Sequence, residues 1–221
     1  MEEKKEPYRV LLSDGVGEIV EKKSRFIATV RIVHSEEEAT AFIDEMKKKY
    51  WNATHNCSAF VVGEKAELTR CSDDGEPSGT AGRPMLEVLL GEGIRNVAVV
   101  VTRYFGGILL GTGGLVRAYT QAVKEGLANC KKGVMCYGTR LSIKAGYTEI
   151  GKIQYILGQE NISIEKSDYC EDVEFTILFQ EKKEKELIKK ITEATNARAK
   201  ISVIERLYFV DKDTSREYSF K

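Results

Sequence analysis

The chain has 221 residues, and its 34 Lys and Arg side chains are balanced by 34 Asp and Glu, so the formal net charge is zero. This length fits one large domain or two small ones, and 42% apolar residues suffice for a packed core. Balanced charge excludes a uniformly basic or acidic protein, so a surface that binds nucleic acid has to be local. The charged N-terminus lacks a signal-peptide pattern, and no run suits a membrane helix. Five cysteines without CxxC spacing are typical of reduced thiols, so we expect a cytoplasmic protein with no membrane contact.

The first 130 residues carry both strand and helix patterns. Ser35 and Glu38 form an S-x-x-E capping box, which predicts a helix starting there, with Phe42 and Met46 on its apolar face. Trp51, just after this helix, is expected to pack. Strands are predicted over 8–13, 17–33, 57–63, 67–71 and 96–102, and further helices over 85–90 and 114–129.

The pattern changes after residue 133. Strand, helix, strand, strand, helix and strand follow one another within about 80 residues, which is the ferredoxin-like arrangement. The sequence therefore predicts an α+β protein of two domains, one at 1–133 and a ferredoxin-like one at 134–221.

The first glycine-rich loop, SDDGEPSGTAGRP, spans residues 72–84. Its glycines permit close backbone approach, so successive N–H groups are able to form a concave nest for an anion. Asp73, Asp74 and Glu76 would instead suit a hard cation, although their spacing is not that of a calcium loop. A third interpretation is a long turn, since Gly, Pro, Asp and Ser are common turn residues. These alternatives stay open at this point.

The second glycine-rich stretch, RYFGGILLGTGGLVR, spans residues 103–117 and joins a buried strand to a helix N-terminus. Free N–H groups and the positive end of the helix dipole favour an anion there, and arginines interleaved with aromatics suit phosphates and stacked bases. No Gly-Lys-Ser/Thr follows and the glycines do not spell GxGxxG, so ATP and NAD sites are poorly supported and no cofactor is expected. Tight packing of the helix on the sheet is the alternative interpretation.

His55 and Cys57 share one face of a predicted strand. A zinc site or a Cys/His nucleophile would need more partners, and the chain has two histidines and no deaminase-type H-x-E with P-C-x-x-C. We expect both residues to pack or to form hydrogen bonds. No metal site and no catalytic residue is assigned.

Four stretches together resemble the YigZ/IMPACT family: KSRFIA at 23–28, HNCSA at 55–59, SDDGEPSGTAGRPML at 72–86 and VTRYFGGILLGTGGLVRAYTQAV at 101–123. The C-terminal segment is similar to the one that the bacterial branch carries. The resemblance implies an N-terminal domain like domain IV of elongation factor G, and a C-terminal domain like the last domain of that factor. Eukaryotic members regulate translation initiation through protein partners, and they carry a different additional domain.

The leading hypothesis is a non-catalytic, translation-associated regulator that binds RNA or the ribosome, with a protein partner in translation control as a further expectation. The residues assigned to contact or approach phosphates are Arg83, Arg103, Gly106, Gly107, Gly113, Gly114, Arg117, Gln121 and Lys124. One alternative is an enzyme or small-molecule-binding protein whose loops hold a phosphorylated ligand. The other is a protein-interaction regulator without RNA contact.

Overall fold

The computed structural model describes residues 5–211, which form an α+β protein with two compact units. The first unit is Tyr8–Gly133, and the second begins at Val134 and includes residues 5–7. The α+β class predicted from the sequence is confirmed. The domain bounds 1–133 and 134–221 stay a prediction, and residues 1–4 and 212–221 lie outside the described part.

The first unit is built around a five-stranded sheet in the order β2-β3-β7-β4-β5, in which all neighbours are antiparallel. Two short strands, β1 and β6, pair in parallel apart from it. The elements in chain order are β1 (Tyr8–Leu11), β2 (Gly15–Glu21), β3 (Ser24–Ile32), α1 (Glu36–Lys49), β4 (His55–Val62), β5 (Leu68–Ser72), α2 (Gly82–Gly91), β6 (Ile94–Arg95), β7 (Val97–Tyr104) and α3 (Thr112–Ala128).

Strand β7 is the middle of this sheet, and its residues from Val97 to Arg103 are buried. Its apolar run therefore faces a core on each side, as the unbroken hydrophobic pattern predicted. One core contains Met85 of α2 and Tyr119 of α3. The other contains Phe42 of α1 and Phe60 of β4. Helices thus cover both faces of the sheet.

Helix α1 begins as the capping box predicted. The Ser35 hydroxyl oxygen accepts a hydrogen bond from the Glu38 N–H at 3.2 Å. The Glu38 carboxylate in turn accepts from the His34 N–H at 2.7 Å, one residue before the N-cap. Phe42 and Met46 are buried, so the predicted apolar face is confirmed.

The single strand predicted over 17–33 is wrong, because this run folds into the β2–β3 hairpin. Lys22 and Lys23 form the turn with φ of 45° and 66°, the left-handed conformations that a type I′ turn requires at both central residues. Glycine and asparagine are the usual residues there, and two lysines give no such signal. The hairpin was therefore not visible in the sequence.

The second unit has a four-stranded antiparallel sheet in the order β9-β10-β8-β11, with two helices. Its elements are β8 (Lys132–Ala145), α4 (Ile150–Gln159), β9 (Ile164–Tyr169), β10 (Val173–Gln180), α5 (Glu184–Ala194) and β11 (Lys200–Val210). The apolar faces of both helices and of the sheet form one core around Ile153, Phe175 and Ile191. The predicted βαββαβ order is confirmed. The similarity of the first unit to domain IV of elongation factor G stays a prediction.

Candidate nucleic-acid interface

A buried polar network joins the two glycine-rich loops of the first unit. Glu76 of the first loop accepts hydrogen bonds at Oε1 from the Arg103 guanidinium at 2.6 Å and from the Tyr119 hydroxyl at 2.7 Å. The side chains of Glu76 and Arg103 are 3% and 6% exposed. A buried carboxylate needs such partners, because removing it from water without compensation is costly. The network therefore holds the first loop against β7 and α3.

Two further residues of the motifs, Cys57 and His55, lie against this network. The Cys57 thiol donates to the Asp73 carbonyl oxygen at 3.0 Å and lies 3.3 Å from the Tyr119 hydroxyl. Burial raises the pKa of Cys57 to about 12, so the thiol stays protonated at neutral pH and is a poor nucleophile. Burial likewise raises the pKa of the Tyr119 hydroxyl.

His55 lies at the edge of the network. Its Nδ1 is 2.8 Å from the Asp74 carbonyl oxygen, which only accepts, so Nδ1 carries the proton. Its Nε2 faces the Glu76 carboxylate at 3.9 Å. The side chain thus fixes the backbone at Asp74. Hydrogen bonding, one of the roles expected for His55, agrees with this geometry.

The anion nest predicted in the first loop contains a carboxylate of the protein itself. Asp73 accepts from the backbone N–H groups of Gly79, Ala81 and Gly82 at 2.8, 3.0 and 2.8 Å, the last two at the start of α2. Burial by itself would raise the pKa of Asp73, but these three donors outweigh it and hold the pKa below its ordinary value. An internal anion therefore occupies the place proposed for a phosphate.

The remaining acid of this loop is also engaged within the protein. Asp74 accepts from the Lys47 ammonium and from the Asn56 N–H, both at 2.7 Å. Among residues 5–211, no group of three or more His, Cys, Asp and Glu side chains is arranged to hold a metal ion. The structure thus favours the third interpretation of the first loop, a long turn fastened to the fold.

The second glycine-rich loop lies directly on the β2–β3 hairpin. The Gly106 N–H donates to the buried Ser24 hydroxyl oxygen at 3.2 Å. A Cβ atom at Gly106 would lie 2.1 Å from the carbonyl carbon of Lys23, so only glycine fits there. Gly107 has a φ of 82°, in the left-handed region that favours glycine. The tip of the hairpin and the loop therefore form one surface.

This surface combines positive charge with exposed apolar side chains. Lys22 and Lys23 are exposed at the hairpin tip. In the loop, Phe105, Ile108 and Leu109 are 46%, 43% and 83% exposed. Helix α3 begins just beyond, and its N-cap, Gly111, has no side chain to satisfy the first N–H groups. We call the set Lys22, Lys23, Phe105, Ile108, Leu109 and Arg117 the glycine-loop surface.

Helix α3 brings several of the predicted residues together. Gly114, Arg117 and Gln121 line one groove of about 420 Å³ beside Glu21 of β2. Arg117 folds back towards the helix N-terminus, where its Nη1 lies 3.8 Å from the Cβ position of Gly113. Lys124 is exposed further along the helix. The side chains of Arg117, Gln121 and Lys124 are accessible to a ligand from solvent.

The two remaining predicted arginines differ in burial, and the assignment of the exposed one, Arg83, stays a prediction. Arg103 is buried beneath the glycine-loop surface, where it binds Glu76 and lies 3.4 Å from the Ser24 hydroxyl, so we correct its assignment from phosphate contact to structural support. Its position inside the core-facing strand β7 explains the difference. Arg83 is exposed on α2 and pairs with Glu87 one turn further on, at 3.0 Å.

Two features of this end of the unit were missed in the sequence. Lys22 and Lys23 read as part of a strand, and their exposure depends on the hairpin. Trp51 was expected to pack, but it is 81% exposed. In the sequence, the run of lysines at the end of α1 was the one available signal of a solvated position.

Comparison with known proteins identifies the family. Residues 22–127 match the family described as "Impact N-terminal domain", and residues 143–198 match "Domain of unknown function (DUF1949)". The Bacillus subtilis protein "IMPACT family member YvyE" is 44% identical over 201 residues, which cover 91% of this chain and 93% of that protein. The chain belongs to the IMPACT family. The resemblance seen in the sequence is thereby confirmed.

IMPACT family proteins also occur in animals. Mouse "Protein IMPACT" is 36% identical over 98 residues, which cover 42% of this chain and 30% of the mouse protein. A solved structure described as "Crystal structure of an hypothetical protein" matches with a TM-score of 0.58 and 34% identity, covering 90% of this chain and 98% of that one. Its fold is therefore shared by this IMPACT family chain.

No helix within residues 5–211 is both long enough and apolar enough to cross a lipid bilayer.

Proposed function

We propose that this protein binds RNA, free or within the ribosome, and that it acts in the regulation of translation through its glycine-loop surface. The observation that carries the proposal is the close approach of the Lys23 backbone to Gly106, which joins the hairpin tip with its two exposed lysines to the loop that carries Phe105 and Leu109. Lysines neutralise phosphates, and exposed rings and apolar side chains contact bases. Membership of the IMPACT family supports a regulatory role in translation.

The electrostatic arrangement supports the same ligand. Arg117 and the uncapped start of α3 lie together, and helix N-termini favour anions. The first loop already holds its own carboxylate, so the second loop is the better site for an external phosphate. Because the net charge of the chain is zero, such a local basic surface gives an orientation to the bound RNA.

The cysteines bear on where in the cell the protein is located. All five cysteines are free thiols in the structure. Free thiols are typical of the reducing cytoplasm, where ribosomes are found, so we propose a cytoplasmic location.

Salt-dependent RNA binding tests the proposal. Binding of a fluorescently labelled RNA stem-loop is measured by anisotropy at several salt concentrations for the wild type and for Arg117→Gln. Each lost phosphate contact reduces the slope of log K against log salt by about 0.7–0.9. The matched control is Lys189→Gln, which removes an exposed cation from α5 in the second unit and is expected to leave the slope unchanged.

Two outcomes would overturn the proposal. One is the absence of RNA binding by the wild-type chain, measured with both the stem-loop and purified ribosomes. The other is a partner captured by crosslinking in cells that stays bound after ribonuclease treatment while no RNA is recovered. That second result would indicate a protein-interaction regulator instead.

A further inference from the structure

Trp51 is an exposed indole in a fixed position. It follows the last turn of α1, it is 81% exposed, and it is the single tryptophan of the chain. An indole provides a large flat apolar face, and tryptophans in this situation are common in binding surfaces. The packing role expected from the sequence does not account for it.

The turn that carries Trp51 is fastened to the second glycine-rich loop. The Asn52 side-chain oxygen accepts from the Tyr104 hydroxyl at 3.1 Å, and the Thr54 hydroxyl oxygen accepts from the Phe105 N–H at 3.2 Å. The Thr54 N–H donates to the Arg103 carbonyl oxygen at 2.9 Å. Trp51 is therefore held beside the glycine-loop surface by several bonds on the residues next to it.

The surroundings of Trp51 are positively charged. The last turn of α1 contains Lys47, Lys48 and Lys49. All three are exposed, and Lys47 donates a hydrogen bond to the Asp74 carboxylate. An apolar protein segment would gain little beside these ammonium groups. A polyanion with flat rings matches both the charge and the indole face.

We propose that Trp51 stacks on an unpaired base of the RNA bound at the glycine-loop surface. This inference rests on the proposed function and narrows its ligand to RNA that presents unpaired nucleotides, such as a loop, a bulge or a free end. In a duplex, both faces of every base except those of the two terminal pairs are covered by neighbouring bases. An indole therefore reaches only a base that has left the stack.

The single tryptophan allows a direct experiment. Wild-type fluorescence is titrated with a twelve-nucleotide single-stranded RNA and with a blunt duplex of the same composition. Binding of each RNA is followed in parallel by anisotropy of a label on the RNA. We expect the single strand to quench Trp51 and the duplex to leave it unchanged.

Variants separate stacking from charge. Trp51→Ala is expected to weaken single-strand binding roughly ten-fold, since stacking on one base has about that effect, and to leave duplex binding unchanged. Trp51→Phe is expected to recover most of the loss, because a phenyl ring also stacks. Tyr155→Ala is the matched control, since Tyr155 is an exposed aromatic of the second unit, at 68%. Thermal melting confirms that each variant is folded.

The outcomes distinguish the two proposals. If single-strand binding persists in Trp51→Ala with unchanged affinity, or if the duplex quenches equally, the stacking inference is wrong and the proposed function stands. If neither RNA binds the wild type or any ribosome preparation, the proposed function fails as well. The inference is supported if only the single strand quenches Trp51, if Trp51→Ala weakens single-strand binding and if Trp51→Phe recovers most of that affinity.

Discussion

Arg103 and Glu76 form an ion pair inside the first unit, with 2.6 Å between Arg103 Nη1 and Glu76 Oε1. Arg103 ends the buried part of β7 and is the first residue of the second glycine-rich stretch, and Glu76 belongs to the first loop. One bond therefore links the two loops that contain most of the family motifs. Because both side chains are almost fully buried, the loss of either partner leaves a charge without compensation.

Arg103→Met tests this structural role. We expect it to lower the free energy of unfolding by about 3–5 kcal/mol, as for other broken buried pairs, measured by urea denaturation. Under conditions where the variant is folded, the salt slope of RNA binding is expected to equal that of the wild type. Arg117→Met is the comparison. We expect it to change the free energy of unfolding by less than about 0.5 kcal/mol and to reduce the salt slope of RNA binding. A reduced slope for Arg103→Met would restore Arg103 as a phosphate contact.

The hairpin turn gives opposite predictions for stability and binding. In the double variant Lys22→Asn with Lys23→Gly, the turn has residues that adopt positive φ without strain. We therefore expect its free energy of unfolding to be about 1 kcal/mol higher than that of the wild type. The same variant loses two cations of the glycine-loop surface, so RNA affinity and the salt slope are expected to fall.

The control for this variant keeps the turn residues and changes the charge alone. Lys22→Gln with Lys23→Gln is expected to weaken RNA binding to the same extent without the gain in stability. Unfolding midpoints and RNA anisotropy on the same samples check both. If RNA affinity is undiminished in both variants, Lys22 and Lys23 do not contact the RNA.

Gly106 has no room for a side chain. A methyl group there would meet the backbone of Lys23 and Ser24 at 2.1–2.4 Å, so Gly106→Ala is expected to separate the loop from the hairpin and to destabilise the fold by about 1–3 kcal/mol. Gly91→Ala on α2 is the control, because no atom outside the adjacent residues and the helix backbone lies within 4 Å of its Cβ position, and it is expected to be neutral or mildly stabilising. Thermal unfolding of the two variants provides the comparison. Equal melting temperatures would contradict the close contact.

Asp73 makes the stability depend on acid. Its pKa is lowered in the folded protein, so its contribution is complete above the pKa of the unfolded chain, near 4, and is lost as the pH falls through the lowered value. Asp73→Asn is expected to cost about 1 kcal/mol at pH 7, because a neutral amide oxygen accepts hydrogen bonds from these N–H groups more weakly than a carboxylate does. The difference from the wild type is expected to shrink below pH 4. Urea denaturation from pH 7 to pH 2.5 measures it, and a constant difference would contradict the assignment.

Local patterns predicted much of this fold. The capping box placed the start of α1, the unbroken apolar run placed β7 in the middle of the sheet, and the alternation after residue 133 predicted the ferredoxin-like order. Each helix or strand behind these signals was predicted from a short segment. Propensity and periodicity act over such distances, so they are readable from the chain itself.

The candidate site depended on contacts between distant segments. The sequence by itself determined that two loops are rich in glycine and that arginines flank the second. The tertiary structure decided that Asp73 fills the first loop, that Arg103 is buried against Glu76, and that Lys23 lies on Gly106. It also decided that Trp51 is exposed. Burial and pairing depend on segments that meet only in the folded chain. The sequence alone therefore does not distinguish an arginine that binds a buried carboxylate from one that faces solvent.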